Sequence, residues 1–173
     1  MVTKMPVRLA SLARLDLARR RCLWDVGFCT GSVAIEARRA NPHLRVVAFE
    51  KRPECAALLD RNARAFGAPG IVPIMGDFFE QSLATLPAPD AVFIGGHGGR
   101  LGELIDRIDA VLAPDNRMMI NAVLDSSRHA FESAIARLGY RSLPALRLQV
   151  DAHNPIAVLA AEKPSVPIQE KRP

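Results

Sequence analysis

Aromatic side chains are scarce: of 173 residues only 5% are Phe, Trp or Tyr, with a single Trp and a single Tyr. A surface that binds nucleic acid by stacking bases needs more rings than this. Basic residues adjoin only at Arg19-Arg20-Arg21 and Arg38-Arg39, so nucleic acid is not a favoured partner. Cysteine is sparse too. Cys22, Cys29 and Cys55 form an odd set without CxxC spacing or paired histidines, which argues against a disulfide frame and against a structural zinc site, and no metal is expected. Long apolar runs are missing. The longest, Ile156 to Ala161, is far short of the ~20 residues of a membrane-spanning helix, and no charged-then-apolar signal opens the chain. No membrane partner and a cytoplasmic location are the expectations.

What is present fits one globular domain. Hydrophobic residues make up 49% and charged residues 24%, enough apolar surface for a sizeable core. The 23 basic against 18 acidic residues leave a charge of +5, with nearly all the positive charge on arginine, which grips planar carboxylates and phosphates through two parallel bonds and fits an anionic partner. The domain should span residues 1–162. The stretch 163–173, with three prolines and no apolar period, should be a flexible tail.

Short β-like runs alternate with helical patterns, the signature of an α/β fold with a mostly parallel sheet and helices on both faces. Cys22–Val26, Arg45–Glu50, Ile71–Met75, Ala91–Ile94 and Met118–Val123 read as successive strands. Between them lie helical patterns from Ser32 to Ala40 and from Pro53 to Phe66. A third helix is marked by Leu101, Leu104, Ile105, Ile108, Val111 and Leu112 on one stripe, ended by Pro114, and a fourth by Phe131, Ile135 and Leu138, ended by Gly139. No helix separates Leu146–Val150 from Ile156–Ala160, so these should pair as an antiparallel hairpin closing a seven-stranded sheet.

In an open parallel sheet, ligands bind beyond the carboxyl ends of the strands where strand order reverses. After the first strand stands Gly27-Phe28-Cys29-Thr30-Gly31, a turn opening a helix. A dinucleotide fingerprint would put its second and third glycines at Cys29 and Ser32, so only the first is kept. After the second strand stands Glu50, whose carboxylate can accept both hydroxyls of a ribose. Gly76-Asp77-Phe78 follows the third strand, with a polar edge for an adenine amino group at Asp77 and an apolar face for its ring at Phe78. Together these describe an adenosine pocket.

The Asp25…Gly27…Gly31 pattern resembles the acidic-x-G-x-G-x-G loop of Rossmann-like, class I S-adenosylmethionine-dependent methyltransferases. Several segments are similar, in order and spacing, to one family of that fold, the cobalamin-pathway precorrin C15-methyltransferase and C12-acetate decarboxylase. They are Thr3-Lys-Met-Pro-Val-Arg8, the loop after the first strand, Gly76-Asp-Phe78, Ile94-Gly-Gly-His-Gly-Gly99, Asn121-Ala-Val123 and Asn154-Pro-Ile-Ala157.

The resemblance implies that Thr3, the loop Gly27, Phe28, Cys29, Thr30 and Gly31, Glu50, Asp77 and Phe78 hold S-adenosyl-L-methionine. It implies that Gly95, Gly96 and Gly98 line the path to the tetrapyrrole. His97, in that loop, is the candidate for handling a proton or orienting a carboxylate, and Asn121, ending the fifth strand beside the pocket, the candidate for holding substrate. The family occurs alone or as the C-terminal part of a fusion whose N-terminal part methylates C5, and the resemblance implies a homotetramer. The chain departs from the pattern at Cys29, where the family has glycine. Two rival readings are a methyltransferase of another substrate such as RNA, against which the missing Asn/Asp-Pro-Pro-aromatic tetrad counts, and a degenerate non-catalytic cofactor-binding scaffold.

Overall fold

The structure, a computed structural model, describes residues 3–152 and 154–165. In chain order the elements are α1 (Met5–Leu15), β1 (Cys22–Val26), α2 (Ser32–Ala40), β2 (Arg45–Glu50), α3 (Glu54–Ala65), β3 (Ile71–Met75), β4 (Ala91–Ile94), α4 (Leu101–Asp109), β5 (Arg117–Ala122), α5 (Asp125–Arg137), β6 (Arg141–Ser142), β7 (Leu146–Leu148) and β8 (Ile156–Glu162). They form one sheet of order β3-β2-β1-β4-β5-β8, with β6 and β7 both pairing β8. The strands from β3 to β5 run parallel, and β8 is antiparallel to β5, β6 and β7. Strand order therefore reverses between β1 and β4.

The expected hairpin is present as β7 and β8, but the edge beyond β8 is split. From Ser142↔Ala161 to Leu146↔Val158 the outer strand advances four residues while β8 advances three, the signature of a bulge. Pro144 sits in it, without an N–H for the ladder. At the opposite edge, Pro73 stands in the middle of β3, the position where a missing donor is tolerated.

Side chains alternate across the sheet, as the two-residue strand period requires. Trp24, Val26, Val47, Phe49, Val92, Ile94, Met118 and Ile120 join the core under α4 and α5. Leu23, Val46, Ala48, Phe93, Met119 and Val158 join the core under α1, α2 and α3. The apolar stripe Leu101, Leu104, Ile105 and Ile108 of α4 is buried as its spacing predicts; the helix ends at Asp109, but Leu112 stays buried beyond it.

Helix α1 is an addition to the sequence-based expectation. Pro6 occupies its first turn, where a missing N–H does no harm. Val7, Ser11, Leu12 and Leu15 are buried against the sheet, and the Ser11 hydroxyl, the polar member of that face, donates to Val7 O at 2.7 Å. At the other end of the chain, Lys163 donates to Asp109 O at 2.7 Å and accepts from the Asp115 N–H at 2.7 Å. The rest of the expected tail, from residue 166 on, lies outside the described residues. Among the described residues no helix is long and apolar enough to cross a membrane.

Candidate functional site

The reversal of strand order between β1 and β4 leaves a crevice at the carboxyl ends of the parallel strands, and there lies a cleft of about 320 Å³. Its walls come from the end of β1 and its loop (Val26, Gly27, Cys29), the end of β2 and its loop (Phe49 to Arg52), the residues after β3 (Gly76 to Phe79), the loop after β4 (Gly95 to Gly98), and Arg100 and Leu104. That volume is within the range of small-ligand sites.

The loop after β1 is stitched to the end of β2. The N–H groups of Gly27 and Phe28 both donate to Phe49 O, at 2.8 and 3.2 Å, and the Gly31 N–H donates to Phe28 O at 2.8 Å. The Cys29 N–H donates to Glu50 Oε2 at 3.0 Å. With these donors taken up, the loop is a poor cradle for a pyrophosphate, which needs several free N–H groups. Backbone meets backbone at Gly27, where an added Cβ would lie 2.6 Å from Gly96 N. Gly31, by contrast, faces away from the cleft: its missing side chain makes room for Leu59 of α3, 2.2 Å from an added Cβ.

Gly31 precedes α2 and has no side chain with which to cap it, so the cap comes from the strand. Asp25 Oδ2 accepts from the Ala34 N–H in the first turn at 3.1 Å, while its Oδ1 is buried without a hydrogen-bond partner. Burial pushes the Asp25 carboxyl up to about 7, the Ala34 N–H opposes this, and the negative charge of Glu50 adds to it.

Glu50 is buried at the cleft wall with both carboxylate oxygens occupied. Oε1 accepts from the N–H groups of Lys51 (3.0 Å) and Arg52 (3.2 Å) and from Arg52 Nε (3.1 Å). Oε2 accepts from the Cys29 N–H and from Arg52 Nη2 at 2.9 Å. Burial alone would raise this carboxyl, but the Arg52 guanidinium and the Arg52 and Cys29 amides outweigh it and hold Glu50 below the usual carboxylate range.

His97 lines the cleft from the loop after β4. Its Nδ1 accepts from the Gly99 N–H at 3.2 Å, which leaves the proton on Nε2, 3.4 Å from Ser127 Oγ of α5. Burial lowers its basicity and favours the uncharged ring.

The cleft thus gathers Gly27, Cys29, Glu50, Asp77, Phe78, Gly95, Gly96, His97 and Gly98 of the sequence-predicted residues. Others lie elsewhere. Phe28 is buried in the core under α1 to α3. The Thr30 carbonyl accepts from Asn62 Nδ2 of α3 at 2.9 Å, and the Thr3 carbonyl accepts from Arg8 Nη1 at 2.7 Å. Asn121 does not open onto the cleft. Ile120 points to the α4 side, so the next residue points to α1, where Asn121 Oδ1 lies 3.0 Å from Ser11 Oγ.

Phe78 reaches the cleft only from within an aromatic cluster, edge-on to Phe49 with ring centroids 5.0 Å apart. Its neighbour Phe79 presents more surface, and the Arg100 guanidinium lies over its ring at 3.6 Å. Besides the apolar Val26, Phe49 and Leu104, sequence reasoning missed Lys51, Arg52, Phe79 and Arg100 in the cleft. Each adjoins a predicted residue or loop, but only the fold tells which neighbour turns inward.

Comparison with known proteins agrees with this geometry. Residues 1–171 match the family model described as a precorrin methyltransferase domain. The chain is 36% identical to the decarboxylating precorrin-6Y C(5,15)-methyltransferase of Sinorhizobium sp, across 98% of this chain but only 40% of that protein. It is 35% identical to the decarboxylating cobalt-precorrin-6B C(15)-methyltransferase of Salmonella typhimurium, covering 96% of this chain and 85% of the relative. Among solved structures, a precorrin-6Y C5,15-methyltransferase from Geobacter metallireducens superposes with a TM-score of 0.85 at 30% identity, over 94% of this chain and 90% of that one.

Proposed function

The chain belongs to the precorrin methyltransferase domain family, and from that premise we propose that it methylates a precorrin tetrapyrrole at C15, using S-adenosyl-L-methionine, and removes carbon dioxide from the C12 acetate, in cobalamin biosynthesis. The names of the Sinorhizobium and Salmonella relatives support both halves of this reading. Where the domain is the C-terminal part of a longer protein, the C5 methylation belongs to the rest of that protein.

The observation that carries the proposal is the buried Glu50 carboxylate at the cleft wall, beside the reversal of strand order. The cofactor supplies a methyl group on a positively charged sulfur, already a good leaving group. The protein's work is alignment, and orientation of this kind can supply roughly 7–11 kcal/mol of a barrier. Glu50 receives the ribose hydroxyls, and Asp77 and the Phe78–Phe79 turn flank the adenine. Gly27 and Cys29 bound the methionine end. The exposed Gly95, Gly96 and Gly98 let a broad flat macrocycle approach, with His97 beside it to hold or pass a proton through Nε2.

The test is incubation of the protein with cofactor and the tetrapyrrole precursor, read by mass spectrometry. Gain of a methyl and loss of a carboxyl group are expected as separate changes. Neither change, together with no calorimetric binding of S-adenosylhomocysteine at millimolar concentration, would instead favour a non-catalytic scaffold.

A further inference from the structure

Glu50 is over-subscribed. An ionised carboxylate offers about four lone-pair sites, and here five donors already converge on them: three backbone N–H groups, from Cys29, Lys51 and Arg52, and two from the Arg52 side chain. No acceptor capacity remains for a ribose diol while Arg52 holds both oxygens. The backbone donors are fixed by the chain. The Arg52 side chain is not: 46% of it is exposed, against 6% for Glu50, so a guanidinium that leaves the carboxylate swings into water rather than into the core. Its guanidinium lines the same cleft as Lys51 and Arg100. Arg100 already has an anion, Glu103, at 2.6 Å.

We propose that Arg52 is a displaceable occupant of the ribose seat, released from Glu50 by the cofactor's diol and then free to hold a carboxylate of the anionic substrate. This rests on the S-adenosyl reading of the cleft and deepens it. Before the cofactor binds, the positive charge of Arg52 is matched by Glu50. Afterwards that charge faces the cleft beside Lys51, and the site's affinity for a polycarboxylate rises. Coupling of this kind is reciprocal: the anionic ligand must tighten cofactor binding by the same factor. Arg52 is thus a specificity-determining residue with two successive partners.

The experiment is titration calorimetry of the full chain with S-adenosylhomocysteine, and with an octacarboxylate porphyrin as substrate probe, on the wild type, Arg52→Met and Arg52→Lys. Removing the competing side chain should make Arg52→Met bind S-adenosylhomocysteine about 3- to 10-fold more tightly than wild type. In the wild type, saturating S-adenosylhomocysteine should strengthen porphyrin binding several-fold; this gain should vanish in Arg52→Met and survive in Arg52→Lys, which keeps the charge. Equal or weaker S-adenosylhomocysteine binding by Arg52→Met, or a coupling that persists in it, would overturn the role of Arg52 while leaving the cofactor reading intact. No binding by the wild type at millimolar concentration would refute the cofactor reading itself, and the role of Arg52 with it.

Discussion

The loops after β1 and β4 are both rich in glycine, yet they are built differently. In the first, Phe28 and Gly31 are buried and the N–H groups of Gly27, Phe28 and Cys29 are all bound across to the end of β2. In the second, the backbone is anchored through Gly95 and Gly96, both to Val26 O, and beyond them the loop bonds to itself through His97, whose Nε2 meets Ser127 Oγ of α5. Gly95, Gly96, Gly98 and Gly99 are exposed. Glycine content alone therefore does not say whether a loop is a fixed seat or an open surface; the difference lies in where the backbone donors go. A seat suits a ligand of constant shape, an open surface a large and variable one.

The sharpest way to break this contrast is to add the same methyl group to each loop. Gly27 has φ +80° and its Cβ would lie 2.6 Å from Gly96 N, so Gly27→Ala should lose about 2–4 kcal/mol in chemical denaturation. Gly96 has ordinary contact only, 3.8 Å to Gly27 Cα, so Gly96→Ala should stay within about 0.5 kcal/mol. Equal losses would show that the two loops are equally constrained.

Glu50→Ala should weaken S-adenosylhomocysteine binding by about 1–3 kcal/mol, the usual loss for hydrogen bonds to a charged acceptor; unchanged affinity would remove Glu50 from the ribose. A similar magnitude is expected at Asp25, which braces the first loop through Ala34. Its folded pKa is raised to about 7 from an ordinary 3.8, so the native state binds the extra proton between those values and this contribution to stability falls as pH rises through that window. Relative to Asp25→Asn, the wild type should therefore lose on the order of 2 kcal/mol between pH 5 and pH 8. His97 acts with the opposite sign below pH 6.5, since its lowered pKa makes the unfolded chain bind more protons there, and the paired comparison cancels it. A difference that does not change with pH would show Asp25 to be charged throughout.

Cys29 should give the smallest effect on binding. It keeps a left-handed backbone, φ 53°, while lining the cleft. Cys29→Gly removes a side chain that intrudes on the cleft wall and should tighten S-adenosylhomocysteine binding by about 1 kcal/mol. Equal or weaker affinity would show that the thiol side chain fits the ligand.

Much of this architecture is legible in the sequence. The first four strands match their expected bounds residue for residue, because each is a short apolar run closed by a turn or by glycine. Helix α1 was harder to see: its inward face includes Ser11, whose hydroxyl donates to the helix's own Val7 carbonyl and lies beside Asn121 Oδ1, and a serine in the stripe hides the period. The same pairing explains Asn121, for the end of a strand fixes a residue's height in the sheet but its parity decides the face. Glu50 was readable from its place at the end of β2, whereas the grip of Arg52 on it depends on a side-chain conformation that no spacing encodes. Phe78 and Phe79 share one turn of 3-10 helix, and their division between core and cleft follows only from packing against Trp24 and Arg100.

Pro73 at the centre of the outermost parallel strand has a consequence for what this flank can join. A neighbouring chain laid alongside β3 would find a gap in the row of donors halfway along, and could not zip up as a continuous ladder. Although Val72 beside it is an exposed β-branched side chain, that border is protected against runaway templating, and contacts made there must rely on side chains instead of shared backbone bonds.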